Sequence, residues 1–462
     1  MTNVFLSQGH TFLLIRPYIP LDHEICIGNI LLSPIAFFKR IEIVFLVYLP
    51  QVPRIDMLAG IELYLTKFEG IGGHIKDKNE DFEVTEILHN SVFEKFSKIK
   101  TKKARFPLYV LEKTGLDSNH ALIEIRKELG IHLRLLGIKD SKAVSLQYCT
   151  SEQDTIQNVS TRHTKLRLLG YTEESVRKSH MVGNRFYIRI HEANDNKISD
   201  FSQECHLIPN FYGLQRFGSA RLVTHLVGRQ ILKRDFRGAV DLLLCYTTEY
   251  DSEFSKEIRE RCQDPQNYQS VLRNIPRGMD IERLILTSLV NGKKHISALR
   301  EIPINIRRLF VHAYQAYLFN KCLSTGIKQG ENVTECKVGN LCFEIEDQFN
   351  LGKLRKFVDS MDPDKVVPAT QLAGYSLRKA KDRFEEIMFG MLSEEGLTPS
   401  NFFLREMQEL SVEGGFRQLP LMVKDIDYEK TGRIKFRLPI GAYATTLLRE
   451  LMKPTNPIKA GF

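Results

Sequence analysis

Apolar and polar positions along the chain follow two periods, and the change from one to the other lays out the elements. Phe82, Val84 and Ile87 give the partial alternation of a strand, and Phe186, Ile188 and Ile190 repeat it within MVGNRFYIRI at 181–190. Between them, Ala121, Leu122, Ile125 and Leu129 share one face of a helix, with Asp117 and Ser118 suited to cap its start and Gly130 to stop it. Residues 107–111 suggest a strand. An apolar run at 133–136 and a stretch rich in β-branched and small residues at 144–150 predict two more, joined by a hairpin at 137–142. Helical text starts at Thr224 (HLVGRQILK, then RGAVDLLLCY) and returns at 306–322, where Leu309, Ala313, Ala316, Tyr317 and Asn320 repeat at helical spacing. Strands are expected within 337–349 and a loop at 367–376. A strand at 433–438, a turn at 439–441 and a helix at 443–452 with Leu447, Leu448 and Leu451 inward close the chain.

Residues 1–56 read differently, being apolar and short of acids. Lys39, Arg40 and Glu42 interrupt the only long apolar stretch, and the uncharged run 43–49 is too short to span a bilayer. No small-residue cleavage site follows a compact apolar region, so a signal peptide fits poorly. The expectation is an atypical apolar extension.

A chain of 462 residues exceeds what one hydrophobic core usually serves, so two or three domains are expected. With 65 Lys plus Arg against 56 Asp plus Glu, the formal charge is +9, which suits a polyanionic partner but also describes ordinary solvated surface. The run KFSKIKTKKAR at 95–105 holds six basic residues and no acid, as a loop following a phosphate backbone would. The eight cysteines are scattered without a C-x-x-C pair, which leaves zinc and thioredoxin-type chemistry unsupported and suits a reducing, cytoplasmic setting.

Three stretches carry candidate chemistry. In GIKDSKAVSLQ, at 137–147, Asp140 follows a lysine inside the expected hairpin. An aspartate in a turn ordinarily caps local N–H groups, but at a strand end it can project into a cleft while the sheet fixes its backbone. In NFYGLQRFG, at 210–218, Gly213 and Gly218 permit close approach, Arg216 adds a permanent charge, and Tyr212 and Phe217 offer flat faces; the bland reading is core packing. Lys76 precedes the acid-rich EDFEV strand, where the bland reading is a surface lysine.

Gly137, Lys139, Asp140, Ala143, Ser145 and Gln147 together resemble the active-site motif of the TruD family of RNA pseudouridine synthases, with Ser145 where the family usually has threonine. NFYGLQRFG resembles a second family motif, with Tyr212 in place of its first phenylalanine. AYQAYLFN at 313–320 and FRLPIGAYATTLLRE at 436–450 extend the likeness, which runs from about Gly60 to Lys453 and, by beginning just after Met57, implies Met57 as the expected natural start.

The resemblance implies an α+β protein: a pseudouridine synthase fold with a central mixed, largely antiparallel sheet flanked by helices, plus an inserted α/β domain. The catalytic domain would occupy 57–210 and 411–462, and the insertion 211–410. It implies an isomerase converting uridine in tRNA, by family analogy uridine 13, to pseudouridine. Asp140 would be the catalytic carboxylate and Lys76 its cationic partner, with Asn210, Tyr212, Gln147, Gln215, Arg216 and Phe217 binding substrate. The reaction detaches uracil from C1′ and rejoins it through C5 without net electron transfer, so neither metal nor cofactor is expected. The expected partner is tRNA; no membrane or obligate protein partner is evident, and the oligomeric state stays open. Two other readings are a catalytically silent RNA-binding or chaperone protein on the same scaffold and an aspartate-nucleophile hydrolase.

Overall fold

The alternating segments of the first half become neighbours in one sheet because each has an apolar face to cover. The computed structural model describes residues 51–98, 105–139, 141–153, 158–194, 198, 201, 204–205, 208–347 and 349–462. Its strands are β1 (Phe82–Leu88), β2 (Phe106–Thr114), β3 (Leu133–Leu135), β4 (Val144–Ser151), β5 (Val159–Ser160), β6 (Thr164–Thr172), β7 (Met181–Arg189), β8 (Leu341–Asp347), β9 (Asn350–Lys356), β10 (Val366–Leu372), β11 (Gly415–Gln418), β12 (Lys424–Glu429) and β13 (Arg433–Pro439). Nine form a sheet in the order β12-β13-β7-β1-β4-β2-β6-β5, with β3 also on β4. Only β1 and β4 run parallel, so the sheet is mixed and largely antiparallel as expected. The late strand β13 pairs along the whole of β7, from Arg433 opposite Arg189 to Pro439 opposite Gly183.

A second sheet has the order β11-β10-β8-β9. Here the structure corrects the expected loop at 367–376, since all seven residues of β10 are buried strand. Pro368 and Gly374 gave that segment the look of a loop. The proline is accommodated because β8 pairs with residues 366–368 and β11 with 369–372, so the partner changes at the residue that has no N–H to donate.

Five helices matter for the site and its support: α1 (Arg54–Leu58), α2 (Ser118–Leu129), α3 (Thr224–Leu232), α4 (Ile304–Lys328) and α5 (Ala444–Met452). Asp117 caps α2, accepting from the N–H groups of Asn119 and His120, and Gly130 ends it in the left-handed conformation. Ile55 of α1 is buried in the large helical core, and Asp56, although it precedes the expected start at Met57, is buried against Arg449 of α5. Among the described residues, no helix is long and apolar enough to cross a membrane.

His225 on α3 illustrates how this core titrates. Its ring stacks on Tyr317 at 5.0 Å and meets Phe217 edge-on, and burial, then Arg229, lowers its pKa from 6.5 to about 3. The folded state therefore keeps His225 neutral while the unfolded chain takes up a proton below pH 6.5. Stability should fall by about 1.4 kcal/mol per pH unit through this group, or ~2 kcal/mol between pH 6.5 and 5. Unfolding free energies across that window should fall less steeply in His225→Phe; parallel curves would contradict the assignment.

Candidate active site

The loop expected to carry the chemistry lies between β3 and β4. β2 pairs along β4 on one side, so β1 and β3 must share the other: β1 opposite 144–146 and β3 opposite 149–151. The expected hairpin thus forms, and 136–143 links its strands. Asp140 itself, like 99–104 of the basic run, lies outside the described residues.

The residue before it is held by Ser118, Asn184 and Glu86. The backbone N–H of Lys139 donates to Ser118 Oγ at 2.8 Å, and its carbonyl accepts from the Ser118 N–H at 3.3 Å. Its ammonium donates to Asn184 Oδ1 on β7 at 2.6 Å and sits 3.6 Å from Glu86 Oε1 on β1. Glu86 is 2% exposed. Its two oxygens accept from Gln147 Nε2 at 3.2 Å and from the Tyr148 N–H at 2.9 Å. Gln147, fully buried on β4, also donates to the Gly137 carbonyl at 2.8 Å and accepts from Ser118 Oγ at 2.8 Å. Burial pushes the Glu86 carboxyl up, opposed first by Lys139 and then by the Tyr148 and Gln147 hydrogen bonds.

Glu86 was not singled out in the sequence, yet its signal was there. The buried register of β1 is Phe82, Val84, Glu86, Leu88, so a carboxylate stands at an inward position of an otherwise apolar face. Since both oxygens accept from N–H groups, an amide at this place sets one donor against another. Glu86→Gln should therefore lose about 1–3 kcal/mol of stability. Its turnover should fall by ~10–100-fold through misplacement of the loop, with RNA affinity little changed. Single-turnover rates beside RNA titrations check this, and a wild-type rate would contradict it.

Lys76 lies half-buried in a left-handed conformation, φ 64°, which costs a non-glycine residue on the order of 1 kcal/mol. Its ammonium is 4.9 Å from the Phe82 ring centroid, at the start of β1. The segment is fastened by backbone pairing of His74 with His191, whose rings also stack at 5.4 Å. Gly73 permits this: a Cβ there would lie 2.5 Å from the His191 carbonyl oxygen.

The 210–218 motif packs against the N-terminal end of α5. Thr446 Oγ1 donates to the Phe211 carbonyl at 3.0 Å, and a Cβ on Gly213 would lie 2.7 Å from Thr445 Oγ1. Asn320 of α4 accepts from the Tyr212 N–H at 2.8 Å and donates to the carbonyls of Tyr212 and Ala59. Ala143 at the loop's end, Phe82 beneath Lys76, and Ala444 belong to one buried cluster.

Tyr212 is 8% exposed, edge-on to Phe319 and Tyr443, with the Arg417 guanidinium 3.9 Å from its ring centroid. Asn210 is buried; its amide donates to the Gln418 carbonyl at 3.2 Å and accepts from Arg417 at 2.8 Å. Gln215 and Arg216 are half-buried, whereas Phe217 is wholly buried in the helical core. Asn210, Gln147 and Phe217 have no surface to offer a ligand in this arrangement. Arg417, on β11, escaped the sequence reading because it stands outside every motif.

A mixed sheet with a strand-end loop braced from beneath, and a further helical and sheet region beside it, is a pseudouridine synthase architecture. The family model described as tRNA pseudouridine synthase D (TruD) matches residues 58–451, and the chain belongs to that family. A relative from Methanococcoides burtonii, named "Probable tRNA pseudouridine synthase D", is 28% identical over 444 residues, covering 88% of this chain and 99% of the relative. One of the same name from Pyrobaculum neutrophilum is 30% identical over 423 residues, covering 89% and 100%. A Methanosarcina mazei crystal structure, named "Putative tRNA pseudouridine synthase D (TruD)", superposes with a TM-score of 0.71 at 27% identity, covering 88% of this chain and 99% of that one.

Proposed function

We propose that the protein isomerises uridine in tRNA to pseudouridine, at position 13 by family analogy, with Asp140 as the carboxylate acting at the ribose and Lys76 as its cationic partner. The observation that carries this reading is the buried brace of Glu86, Gln147 and Ser118, which holds Lys139 immediately before the proposed catalytic residue. Such a brace suits a carboxylate that must meet C1′ within a fraction of an ångström. An ammonium nearby offsets the desolvation that would otherwise keep a carboxyl protonated in a closed pocket.

Tyr212, Gln215 and Arg216 form the proposed substrate wall, with the buried Asn210 holding Arg417 behind it. Tyr212, layered beneath the Arg417 guanidinium, gives a base a flat cationic surface, which helps repay the few kcal/mol of unstacking. Gln147 and Phe217 act from behind, Gln147 by holding Gly137 and Phe217 by fixing the motif in the helical core. The catalytic domain is proposed to leave the large sheet near residue 210 and to return after Gln418, because β11 still pairs with β10. The seven cysteines among the described residues are free thiols, which suits a cytoplasmic site of action.

The reading predicts a split for Lys76→Met: tRNA affinity within about threefold of wild type but turnover lower by ~10²-fold or more. Pseudouridine should be mapped on matched tRNA transcripts carrying uridine or cytidine at position 13. Unchanged turnover in Lys76→Met removes Lys76 from the site. Equal pseudouridine content in the two transcripts contradicts the position.

A further inference from the structure

Arg417 and Arg216 both lie against Tyr212, with guanidinium carbons 3.9 and 5.5 Å from its ring centroid. Neither meets a carboxylate among the described residues. The partners of Arg417 are neutral: Nε and Nη2 donate to the Asn210 carbonyl at 3.2 and 3.0 Å, Nη2 to Asn210 Oδ1 at 2.8 Å, and Nη1 to the Gly441 carbonyl at 3.2 Å. Its remaining contact is with the Tyr212 phenol, which is also neutral. Arg216 Nε is buried with no hydrogen-bond partner, and the Tyr443 phenol sits beside both guanidiniums. Burial first holds His312 below its usual range, against a hydrogen bond from its ring to Gln315 Oε1, and Arg216 and Arg308 add to the lowering.

Both arginines are half-buried; carbonyl and amide oxygens satisfy N–H groups but cancel no charge, and charges drawn out of water in folded proteins are ordinarily paired. Two guanidiniums beside one ring, with no anion supplied by the described residues, therefore point to an anion supplied from outside. We propose that Arg417 and Arg216 form a phosphodiester site for the RNA linkage next to the target nucleotide. Guanidinium suits this ligand because its planar N–H groups match phosphate oxygens. The site rests on the RNA-modifying reading above and adds Arg417 to it. It also explains why Arg417 is clamped to Asn210 and Gly441: the clamp holds the charge on the wall that the substrate meets.

The test uses the full-length protein and fluorescence anisotropy with tRNA in which one linkage, immediately 5′ or 3′ of the target uridine, is a neutral methylphosphonate. For wild type, one of the two substitutions should weaken binding by about tenfold. Arg417→Gln should weaken binding of all-phosphate tRNA to a similar degree, the neutral linkage should then add less than about twofold, and the slope of log Kd against log salt should shrink by ~0.7–0.9. Wild-type binding indifferent to both neutral linkages overturns the proposal, as do effects of Arg417→Gln and the neutral linkage that multiply. If Arg417→Gln fails to fold, the wild-type arm with the two neutral linkages decides alone. A protein that binds in this pattern yet forms no pseudouridine keeps the phosphate site and loses the isomerase reading.

Discussion

Replacing Asp56 by alanine is expected to lower the free energy of unfolding by about 3 kcal/mol, the lower end of what breaking a buried ion pair costs. Its carboxylate accepts from Arg449 Nε at 2.6 Å, and the two side chains are 1% and 4% exposed. Burial pushes the Asp56 carboxyl up against the pull of Arg449, so the pair is held by geometry in a costly environment. Without Asp56, the arginine keeps the Tyr64 ring, 4.0 Å from its guanidinium carbon, and a longer approach of 3.5 Å to Glu450 Oε1, which accounts for the lower figure. Glu450 is itself occupied, accepting from the N–H groups of Leu65 and Thr66 and from the Thr66 hydroxyl. Because the penalty comes from stranding a charge, Asp56→Ala with Arg449→Met should recover most of the loss. Urea unfolding at pH 7 measures both; a loss of about 0.5 kcal/mol or less in the single variant would contradict the pair's importance. A chain begun at Met57 lacks Ile55 as well as Asp56, and should be less stable than the single variant.

That result bears on what a reader of the sequence can see. The local signals around the loop were strong: the Asp117 cap, the Gly130 stop and the hairpin of β3 with β4 appear where the apolar pattern puts them. What the pattern hid were partnerships between distant residues. Asp56 looks like the end of an apolar extension until α5 folds back with Arg449. Glu86 looks like one more acid in an acid-rich strand until Lys139 arrives from the hairpin. Arg417 has no motif around it, and its meaning comes from Asn210 and Tyr212, some two hundred residues earlier in the chain. Pro368 misled because a proline inside a strand normally argues against one, and only the change of partner from β8 to β11 removes the objection.

The same distinction separates two kinds of site residue. Gln147 stands in a motif associated with catalysis, but its side chain is wholly engaged by Ser118, Glu86 and Gly137. Its presence beside the proposed catalytic residue reflects what it holds in place. Lys76 is the opposite case: its half-buried ammonium lies over the Phe82 ring from a left-handed backbone, an outlier that fits the proposed role.

The second large effect concerns Asp140. A carboxylate that attacks or deprotonates the sugar cannot be replaced by a methyl group, while the brace that holds Lys139 and the arginines beside Tyr212 are left as they are. Asp140→Ala should therefore retain tRNA binding and lose turnover by about 10³–10⁴-fold or more. The direct measurement is tritium release from tRNA labelled at uridine C5, because the proton at C5 leaves only when the base is rejoined through that carbon. Wild type is predicted to release tritium in proportion to the pseudouridine formed, and Asp140→Ala to release none above background while binding the same tRNA with unchanged affinity. Equal release from the two proteins would contradict the account.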